Sequence, residues 1–235
     1  MGLIDDRSVS IGLKPKDVPS TVASGVRATL TRVKICGLTD MAGVDAAAAA
    51  GADWIGLNFF PASARAVRPA QAAALAARAP GIARVGLFVE ASDDEIAATL
   101  AVVPLDVLQI YADAPRAAAI RARFGRPVWR SVGVSDRSEL PAGTEGVDAL
   151  LIEAKPPPGA TRPAGNAVSI DWTMLAGWAP PYPWLLAGGL TPENVAEAIR
   201  LSGATAVDVA SGVERTRGIK DPGLIQAFVA AARAA

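Results

Sequence analysis

One stretch shows the strand–loop–helix pattern that recurs along this chain: Trp184-Leu185-Leu186-Ala187-Gly188-Gly189-Leu190-Thr191-Pro192-Glu193-Asn194. A short apolar run, typical of a buried strand, leads into two glycines. Thr191 and Pro192 follow, and these residue types are typical of the N-cap and the first position of a helix. The stretch therefore predicts a strand, a tight loop and a helix over 191–201.

The same succession of strand and helix recurs on both sides of this stretch, from Thr31 to the C-terminus. Several strands are near-continuous apolar runs, as expected in a parallel sheet that is covered on both faces. The predicted strands are 33–36, 54–59, 85–89, 107–110, 128–132, 149–153, 184–187 and 206–209. The predicted helices are 41–50, 69–78, 92–102, 114–124, 172–175, 191–201 and 223–234, with a weaker pattern at 137–140.

Strand–helix units repeated about eight times in roughly 200 residues predict an α/β fold, a single (β/α)8 TIM barrel. A doubly wound open sheet is the alternative, but it usually has fewer strands and a glycine-rich dinucleotide loop after the first one. Here the first strand ends in Cys36-Gly37-Leu38-Thr39, without that loop. Residues 1–30 show no period and are expected to form a short N-terminal extension or a disordered leader. The barrel domain is then 31–235.

Composition excludes several classes of function. The 235 residues include 23 Lys and Arg against 23 Asp and Glu, so the net charge is zero and no nucleic-acid partner is expected. The chain has no histidine and one cysteine, which excludes serine–histidine triads, histidine-ligated metals and intrachain disulfides. Acid–base chemistry must therefore use carboxylates, Lys, Tyr or the thiol of Cys36.

The sequence also predicts where the protein works. No segment is long and apolar enough to span a bilayer, and the first residues do not resemble a signal peptide. A cytoplasmic protein without membrane contact is expected. The sequence leaves its oligomeric state open between a monomer and a homodimer.

In (β/α)8 barrels the functional residues lie at the carboxyl ends of the strands and in the loops that follow them. By that rule the candidates are Cys36 after strand 1, Arg65 in the loop after strand 2, Glu153 after strand 6 and Asp208 after strand 8. They bring a thiol, a guanidinium and two carboxyl groups to one rim of the barrel.

Each candidate also has an ordinary structural explanation. Cys36 could be a small buried apolar residue, and Arg65 a solvated surface charge. Glu153 could form an ion pair with Lys155 at the rim, and Asp208 could bind loop amides. These alternatives stay open, although an acid at the end of an apolar run favours a functional role for Glu153.

Two glycine-containing loops follow the last two strands, at Gly188-Gly189 and at Ser211-Gly212. The loops after strands 7 and 8 form the usual phosphate site of these barrels, where backbone N–H groups and a helix N-terminus face the anion. Tight turns that need glycine are the alternative. A small phosphorylated ligand is the favoured prediction.

Three motifs carry a specific resemblance, in order along the chain: Lys34-Ile35-Cys36-Gly37-Leu38-Thr39, Ala187-Gly188-Gly189-Leu190-Thr191-Pro192-Glu193-Asn194-Val195 and Val207-Asp208-Val209-Ala210-Ser211-Gly212-Val213-Glu214. From about Arg32 to the C-terminus, the sequence resembles the phosphoribosylanthranilate isomerases of tryptophan biosynthesis. The resemblance implies an Amadori rearrangement without cofactor or metal. In it, N-(5'-phosphoribosyl)anthranilate, an aminoaldose phosphate, becomes 1-(2-carboxyphenylamino)-1-deoxyribulose 5-phosphate.

The resemblance also implies roles for the site residues. Cys36 is the base at C2′, and Glu153 is the acid at the ring oxygen, where the family has Asp. Arg65 matches the clamp for the anthranilate carboxylate, and Asp208 matches an acid that orients the substrate. Lys34 is expected in the substrate site, where it could also lower the pKa of Cys36. The implied phosphate-binding residues are Gly165, Gly188, Gly189, Ser211 and Gly212.

The sequence departs from the family pattern around the predicted mouth of the barrel. Tyr111 stands where the family usually has His, Ala210 stands where it has Ser, and the phosphate loop after strand 6 clearly keeps only Gly165. Two alternatives therefore stay open. One is a paralogue that isomerises a different aminoaldose phosphate, and the other is a barrel that only binds a phosphorylated sugar.

Overall fold

The structure, a computed structural model, describes residues 30–156 and 169–235. Its centre is a closed barrel of eight parallel strands, in which each strand pairs with the next along the chain and β8 pairs with β1. The predicted (β/α)8 barrel is confirmed. The strands are β1 (Arg32–Cys36), β2 (Trp54–Asn58), β3 (Ala83–Val89), β4 (Val107–Tyr111), β5 (Val128–Val134), β6 (Ala149–Ala154), β7 (Trp184–Leu186) and β8 (Ala206–Val209).

The described residues form six α-helices, of which the first five lie between barrel strands and the sixth follows the last strand: α1 (Met41–Ala50), α2 (Pro69–Arg78), α3 (Asp93–Leu100), α4 (Ala114–Phe124), α5 (Val195–Ser202) and α6 (Pro222–Arg233). The patterns at 137–140 and 172–175 form 3-10 helices instead, at Arg137–Glu139 and Trp172–Leu175. Segments this short suit i to i+3 bonds better than an α-helix. None of the described helices has the length and apolar character needed to cross a bilayer.

Helix α5 begins later than the sequence predicts. Thr191 is not its N-cap, because the helix starts at Val195 and Asn194 occupies the cap position. The Asn194 side chain holds the preceding residues in a turn. Its Oδ1 accepts from the Thr191 N–H at 2.8 Å, and its Nδ2 donates to the Gly189 carbonyl at 2.9 Å. A side chain that competes for nearby backbone groups favours a turn over a helix.

The inside of the barrel is apolar at its amino-terminal end and polar at its carboxyl-terminal end. At the amino-terminal end, Trp54 and Trp129 meet edge to face, with ring centroids 5.1 Å apart. The Arg32 guanidinium carbon lies 3.8 Å from the centroid of the Trp54 ring. Nearer the other end, the strands contribute six buried polar side chains, Lys34, Asn58, Gln109, Ser131, Glu153 and Asp208. This polar end of the interior is called the mouth below.

An antiparallel hairpin follows β8 and is not among the predicted elements. Its strands are β9 (Glu214–Thr216) and β10 (Ile219–Lys220). The hairpin lies tightly against the loop after β2, because a Cβ added to Gly218 would stand 2.7 Å from the Ala64 carbonyl oxygen. This contact connects two loops that lie far apart in sequence at the rim of the barrel.

The start of helix α3 offers a test of the capping pattern. The Ser92 side chain accepts from the Glu95 N–H, and the Glu95 carboxylate accepts from the Ser92 N–H at 2.8 Å, which forms a capping box. We expect Ser92→Ala to lower the free energy of unfolding by about 1 kcal/mol. The matching fall in Tm is about 2–4 °C for a domain of this size. Denaturant and thermal unfolding followed by circular dichroism measure both.

The control is Ala98→Lys, since Ala98 is exposed on the same helix and lysine is nearly as good a helix former as alanine. The new charge lies in the last turn, where a cation is compatible with the helix dipole. The stability of this variant should therefore stay within about 0.5 kcal/mol of the wild type. Equal stability of Ser92→Ala and the wild type would contradict the capping assignment.

Candidate active site

Five of the predicted site residues are gathered at the mouth. Lys34 and Cys36 enter it from β1, Glu153 from β6 and Asp208 from β8, while Arg65 covers the end of β1 from the loop after β2. All five are largely removed from solvent, with exposures of 0% for Lys34, 4% for Cys36, 6% for Arg65, 7% for Glu153 and 8% for Asp208. The charged groups therefore interact at low effective dielectric, where each contact counts for more than at the surface.

An ion pair crosses the seam between β1 and β8. Lys34 and Asp208 are register partners, and the Lys34 Nζ donates to Asp208 Oδ1 at 2.7 Å. Cys36 lies two residues further along β1, on the same side of the strand. Gly56 on β2 leaves room for both side chains, because a Cβ there would stand 2.9 Å from the Cys36 Sγ and 3.2 Å from the Lys34 Nζ.

Burial dominates the protonation of the Cys36 thiol. Burial raises its pKa, the Lys34 ammonium lowers it, and the Asp208 carboxylate raises it again, with a net pKa above the ordinary value. Lys34 does lower the pKa of the thiol, as expected, but burial raises this pKa by more. Lys34 is held as a cation, because Asp208 and Cys36 raise its pKa by more than burial lowers it.

Glu153 is a protonated carboxylic acid at neutral pH. Burial raises its pKa to about 8, although a hydrogen bond with Tyr111 lowers the pKa and Asp208 raises it further. The alternative of a rim ion pair with Lys155 is wrong, because Lys155 pairs with Glu139 outside the mouth. A buried carboxyl group that keeps its proton to this pH is suited to act as a general acid.

Tyr111 is a functional candidate that the sequence marks only as a departure from the family pattern. It ends β4, two strands from Glu153. Burial and the nearby Glu153 raise its pKa well above the ordinary value, so its hydroxyl remains a neutral donor. Gln109 lies below it, with Nε2 3.0 Å from the Ser131 hydroxyl and 3.5 Å from the Tyr111 hydroxyl. The sequence could have indicated Tyr111 as a site residue, because it is a polar side chain at the end of a largely apolar strand.

Arg65 is not a solvated surface charge, because it is buried and paired. Its Nε and Nη2 donate to the two carboxylate oxygens of Glu214 at 2.6 and 2.9 Å. Its aliphatic stem lies on Gly37, where a Cβ would stand 2.5 Å from the Arg65 Cδ. Gly37 also has a φ of 73°, so this position requires glycine for two separate reasons.

The two predicted phosphate loops touch each other. A Cβ on Gly212 would stand 1.8 Å from the Leu190 carbonyl oxygen, and Ser211 begins a short 3-10 helix, Ser211–Val213. Gly188 and Gly189 adopt φ values of 87° and 65°, so a tight turn explains these glycines at least in part. The remaining predicted phosphate residue, Gly165, lies outside the described residues.

The fold and this site define a class of protein, a (β/α)8-barrel enzyme with a buried thiol and a buried carboxyl group at the carboxyl ends of its strands. Comparison with known proteins identifies the family. The family model for N-(5'phosphoribosyl)anthranilate (PRA) isomerase matches residues 33–231. The chain belongs to the N-(5'-phosphoribosyl)anthranilate isomerase family.

Individual relatives agree with this assignment. The N-(5'-phosphoribosyl)anthranilate isomerase of Granulibacter bethesdensis is 52% identical over 207 residues, covering 87% of this chain and 99% of that protein. The crystal structure of TrpF from Jonesia denitrificans is 36% identical, with a TM-score of 0.73 and coverage of 86% and 97%. A phosphoribosyl anthranilate isomerase in complex with reduced 1-(o-carboxyphenylamino)-1-deoxyribulose 5-phosphate is 28% identical, with a TM-score of 0.73 and coverage of 88% and 100%.

The charges around Cys36 predict how its titration responds to mutation. Lys34→Met alone leaves the buried Asp208 carboxylate unpaired, which costs about 3–5 kcal/mol. The double variant Lys34→Met/Asp208→Asn removes both charges and should fold. We expect its Cys36 pKa to lie above the wild-type value, because the lost lysine effect exceeds the lost aspartate effect.

Thiolate absorbance in the ultraviolet measures this titration, since Cys36 is the single cysteine of the chain. Cys36→Ser supplies the blank that removes the tyrosine signal. A pKa equal to or below that of the wild type would show that Lys34 does not stabilise the thiolate.

Proposed function

We propose that this protein isomerises N-(5'-phosphoribosyl)anthranilate to 1-(2-carboxyphenylamino)-1-deoxyribulose 5-phosphate, the Amadori rearrangement of tryptophan biosynthesis, without a cofactor. One observation carries the proposal. A protonated carboxyl group and a thiol with a cation beside it share one buried mouth. These are an acid and a base of the kinds that this reaction requires.

The acid acts first. The Glu153 carboxyl donates its proton to the furanose ring oxygen while the bond from C1′ to that oxygen breaks, and the nitrogen lone pair forms the C1′–N double bond of an iminium ion. Glu153 becomes a carboxylate, and the Tyr111 hydroxyl stabilises this charged form by a hydrogen bond.

The base acts second. The Cys36 thiolate removes the proton from C2′, and the electrons of that C–H bond neutralise the iminium nitrogen to give an enolamine. Tautomerisation then places a proton on C1′ and leaves a ketone at C2′. Lys34 stabilises the thiolate, and its own charge is balanced by Asp208. The substrate gains one proton from Glu153 and loses one to Cys36, so the reaction is an isomerisation. The thiol of Cys36 then releases its proton to solvent and the Glu153 carboxylate takes one up, which restores the starting form of the enzyme.

Substrate binding uses the surroundings of this pair. Arg65 is proposed to clamp the anthranilate carboxylate, and Lys34 and Asp208 to orient the reacting end of the substrate from below. The phosphate is proposed to bind at Gly188, Gly189, Ser211 and Gly212, with Gly165 contributing from the loop after β6.

A second candidate function is favoured by one observation. Tyr111 is larger than the His that the family usually has, and it lies beside the acid. A narrower mouth would suit a different aminoaldose phosphate. The same protein would then be a paralogue that isomerises, or only binds, another phosphorylated sugar.

The setting of the reaction is also a proposal. The protein is expected to work in the cytoplasm on a small phosphorylated substrate, without nucleic acid, as a monomer or a homodimer. The predicted N-terminal extension, 1–30, lies outside the described residues except for Leu30. It stays a prediction, as does the isomerase domain over 31–235.

Turnover of purified protein tests the proposed function. We expect conversion of N-(5'-phosphoribosyl)anthranilate, and a loss of about 10²- to 10⁴-fold in kcat for both Cys36→Ser and Glu153→Gln, the usual contribution of a general base or acid. Complementation of a strain that lacks this isomerase gives a second readout. Ser92→Ala, which lies outside the mouth, is the matched control. A folded protein with no more turnover than Cys36→Ser would contradict the proposal and leave the paralogue.

The pH dependence of kcat/KM tests the roles within the pair. The active form has a thiolate and a protonated Glu153. The thiol has a raised pKa and Glu153 a pKa of about 8, so the active form holds its one proton on Glu153, the group of lower pKa. The population of this form rises as Cys36 and Glu153 together lose their first proton, and it is constant between the two pKa values. We expect kcat/KM to rise with pH up to about 8 and to fall above the second pKa.

Tyr111→Phe should change this profile in a defined direction. Loss of the hydroxyl removes a donor to the Glu153 carboxylate, so the Glu153 pKa and the rising limb move to higher pH. The value of kcat should fall about tenfold, since hydrogen bonds to charged groups contribute on this scale. A wild-type plateau that begins below neutral pH, or an unchanged limb in Tyr111→Phe, would contradict these roles.

A further inference from the structure

A buried cluster of three charged side chains lies beside the acid–base pair and has no role in the proton transfers. It consists of Arg65, Glu214 and Lys220. The Glu214 side chain is 4% exposed and that of Lys220 is 1% exposed. The cluster joins the loop after β2 to the β9–β10 hairpin, and is called the Arg65–Glu214–Lys220 cluster below.

Glu214 holds one particular edge of the Arg65 guanidinium. Its carboxylate accepts from Nε at 2.6 Å and from Nη2 at 2.9 Å. A guanidinium is a planar group with five N–H donors, and it can bind a carboxylate along either of two edges. With the Nε–Nη2 edge bound to Glu214, the Nη1–Nη2 edge is the one left for a second carboxylate.

Glu214 is itself held in place. The Lys220 Nζ donates to Glu214 Oε1 at 2.9 Å and to the Ala210 carbonyl at 2.8 Å, and the Gly218 N–H donates to Glu214 Oε2 at 3.1 Å. These contacts fix the carboxylate to β10, to the hairpin turn and to the end of β8. On the other side, Gly37 confines the Arg65 stem. The guanidinium is therefore held at both its head and its stem.

The cluster also carries charge. Arg65 is a cation, and Glu214 is an anion whose pKa is lowered, because Arg65 and Lys220 outweigh the effect of burial. Burial lowers the pKa of Lys220 and Glu214 opposes this effect, while the contacts of its Nζ with Glu214 and the Ala210 carbonyl favour the ammonium form. With Lys220 in its ammonium form, the cluster has one positive charge that no anion within it balances. The Arg65 head lies close enough to Cys36 for the thiolate to raise the pKa of Arg65. The excess charge is thus next to the reacting centre.

We infer that Glu214 is a positioning residue which presents the Nη1–Nη2 edge of Arg65 to a carboxylate on the substrate's aromatic ring. Through this edge, the cluster makes the site selective for a substrate with an aryl carboxylate over one without it. The inference rests on the proposed function, because it assumes that Arg65 meets the anthranilate group. Glu214 contacts Arg65 and not the reacting atoms, so it affects binding more than chemistry.

A pair of ligands separates this role from a structural one. The first is the reduced product analogue, 1-(2-carboxyphenylamino)-1-deoxyribitol 5-phosphate, and the second is the same molecule without the carboxylate. We expect wild-type protein to bind the first about 10- to 100-fold more tightly, the range for a charge-assisted contact. Isothermal titration calorimetry measures both, independently of turnover.

Glu214→Gln removes one oxygen acceptor and a negative charge. We expect the preference for the carboxylated ligand to fall to about threefold or less, a loss of roughly the charge-assisted contribution. Binding of the ligand without the carboxylate should be unchanged. KM for the substrate should rise about tenfold with little change in kcat. The sign decides the mechanism, because Glu214→Gln makes the cluster more positive. A role through charge alone predicts tighter binding of the carboxylated ligand.

Two further variants keep the test decisive. Glu214→Asp retains the charge but is one methylene shorter, so it should also weaken the preference, and it serves if Glu214→Gln does not fold. Glu214→Gln/Lys220→Met restores the net charge without the bidentate contact, and we expect it to behave like Glu214→Gln.

The outcomes are distinct. A folded Glu214→Gln or Glu214→Asp variant that keeps the full wild-type preference for the carboxylated ligand would overturn the inference. So would a double variant Glu214→Gln/Lys220→Met that regains this preference after Glu214→Gln has lost it. Wild-type protein that shows the ligand preference but no turnover would overturn the proposed function and leave the inference standing.

Discussion

The buried ion pair between Lys34 and Asp208 is the constraint on which the site depends. A fully buried lysine that keeps its charge needs an anionic partner, since an unpaired charge in the interior costs several kcal/mol. Here that partner comes from β8, the last strand of the barrel, while Lys34 comes from β1, the first. The contact that balances the charge therefore also spans the seam where the barrel closes. Cys36 lies on the same strand as Lys34, so closure of the barrel places a cation beside the chain's single thiol.

The other charges at the mouth follow the same rule. Glu214 balances one of the two cations beside it, and Glu153 avoids ionisation by keeping its proton to about pH 8. The mouth and the Arg65–Glu214–Lys220 cluster together contain three basic side chains, two carboxylates and two acids whose pKa values are raised, the thiol and the Glu153 carboxyl. An anionic ligand meets a site that is already short of negative charge, which favours binding before any proton moves.

The sequence predicts the parts of this arrangement that depend on local pattern. All eight strands lie where the apolar runs place them, and the ends differ by at most two residues. The convergence of Cys36, Glu153 and Asp208 follows from the barrel rule. Contacts between distant segments are not predictable in this way. The Arg65–Glu214 pair joins residues 149 positions apart, through a hairpin too short to give a pattern. The direction of the Cys36 pKa shift depends on burial, which a list of neighbouring residues does not contain.

Two departures from the family pattern, Glu153 and Tyr111, form one physical unit. Glutamate carries its carboxyl group one methylene further from a strand whose position is fixed by its register with β5. A hydrogen-bond donor to this carboxyl group must then reach a different position than it would for aspartate. A tyrosine ring extends its hydroxyl further from the strand than an imidazole extends its nitrogen. Tyrosine also stays neutral where histidine titrates. With a raised pKa, the Tyr111 hydroxyl stays neutral and able to donate, so Glu153 determines the protonation of this half of the site.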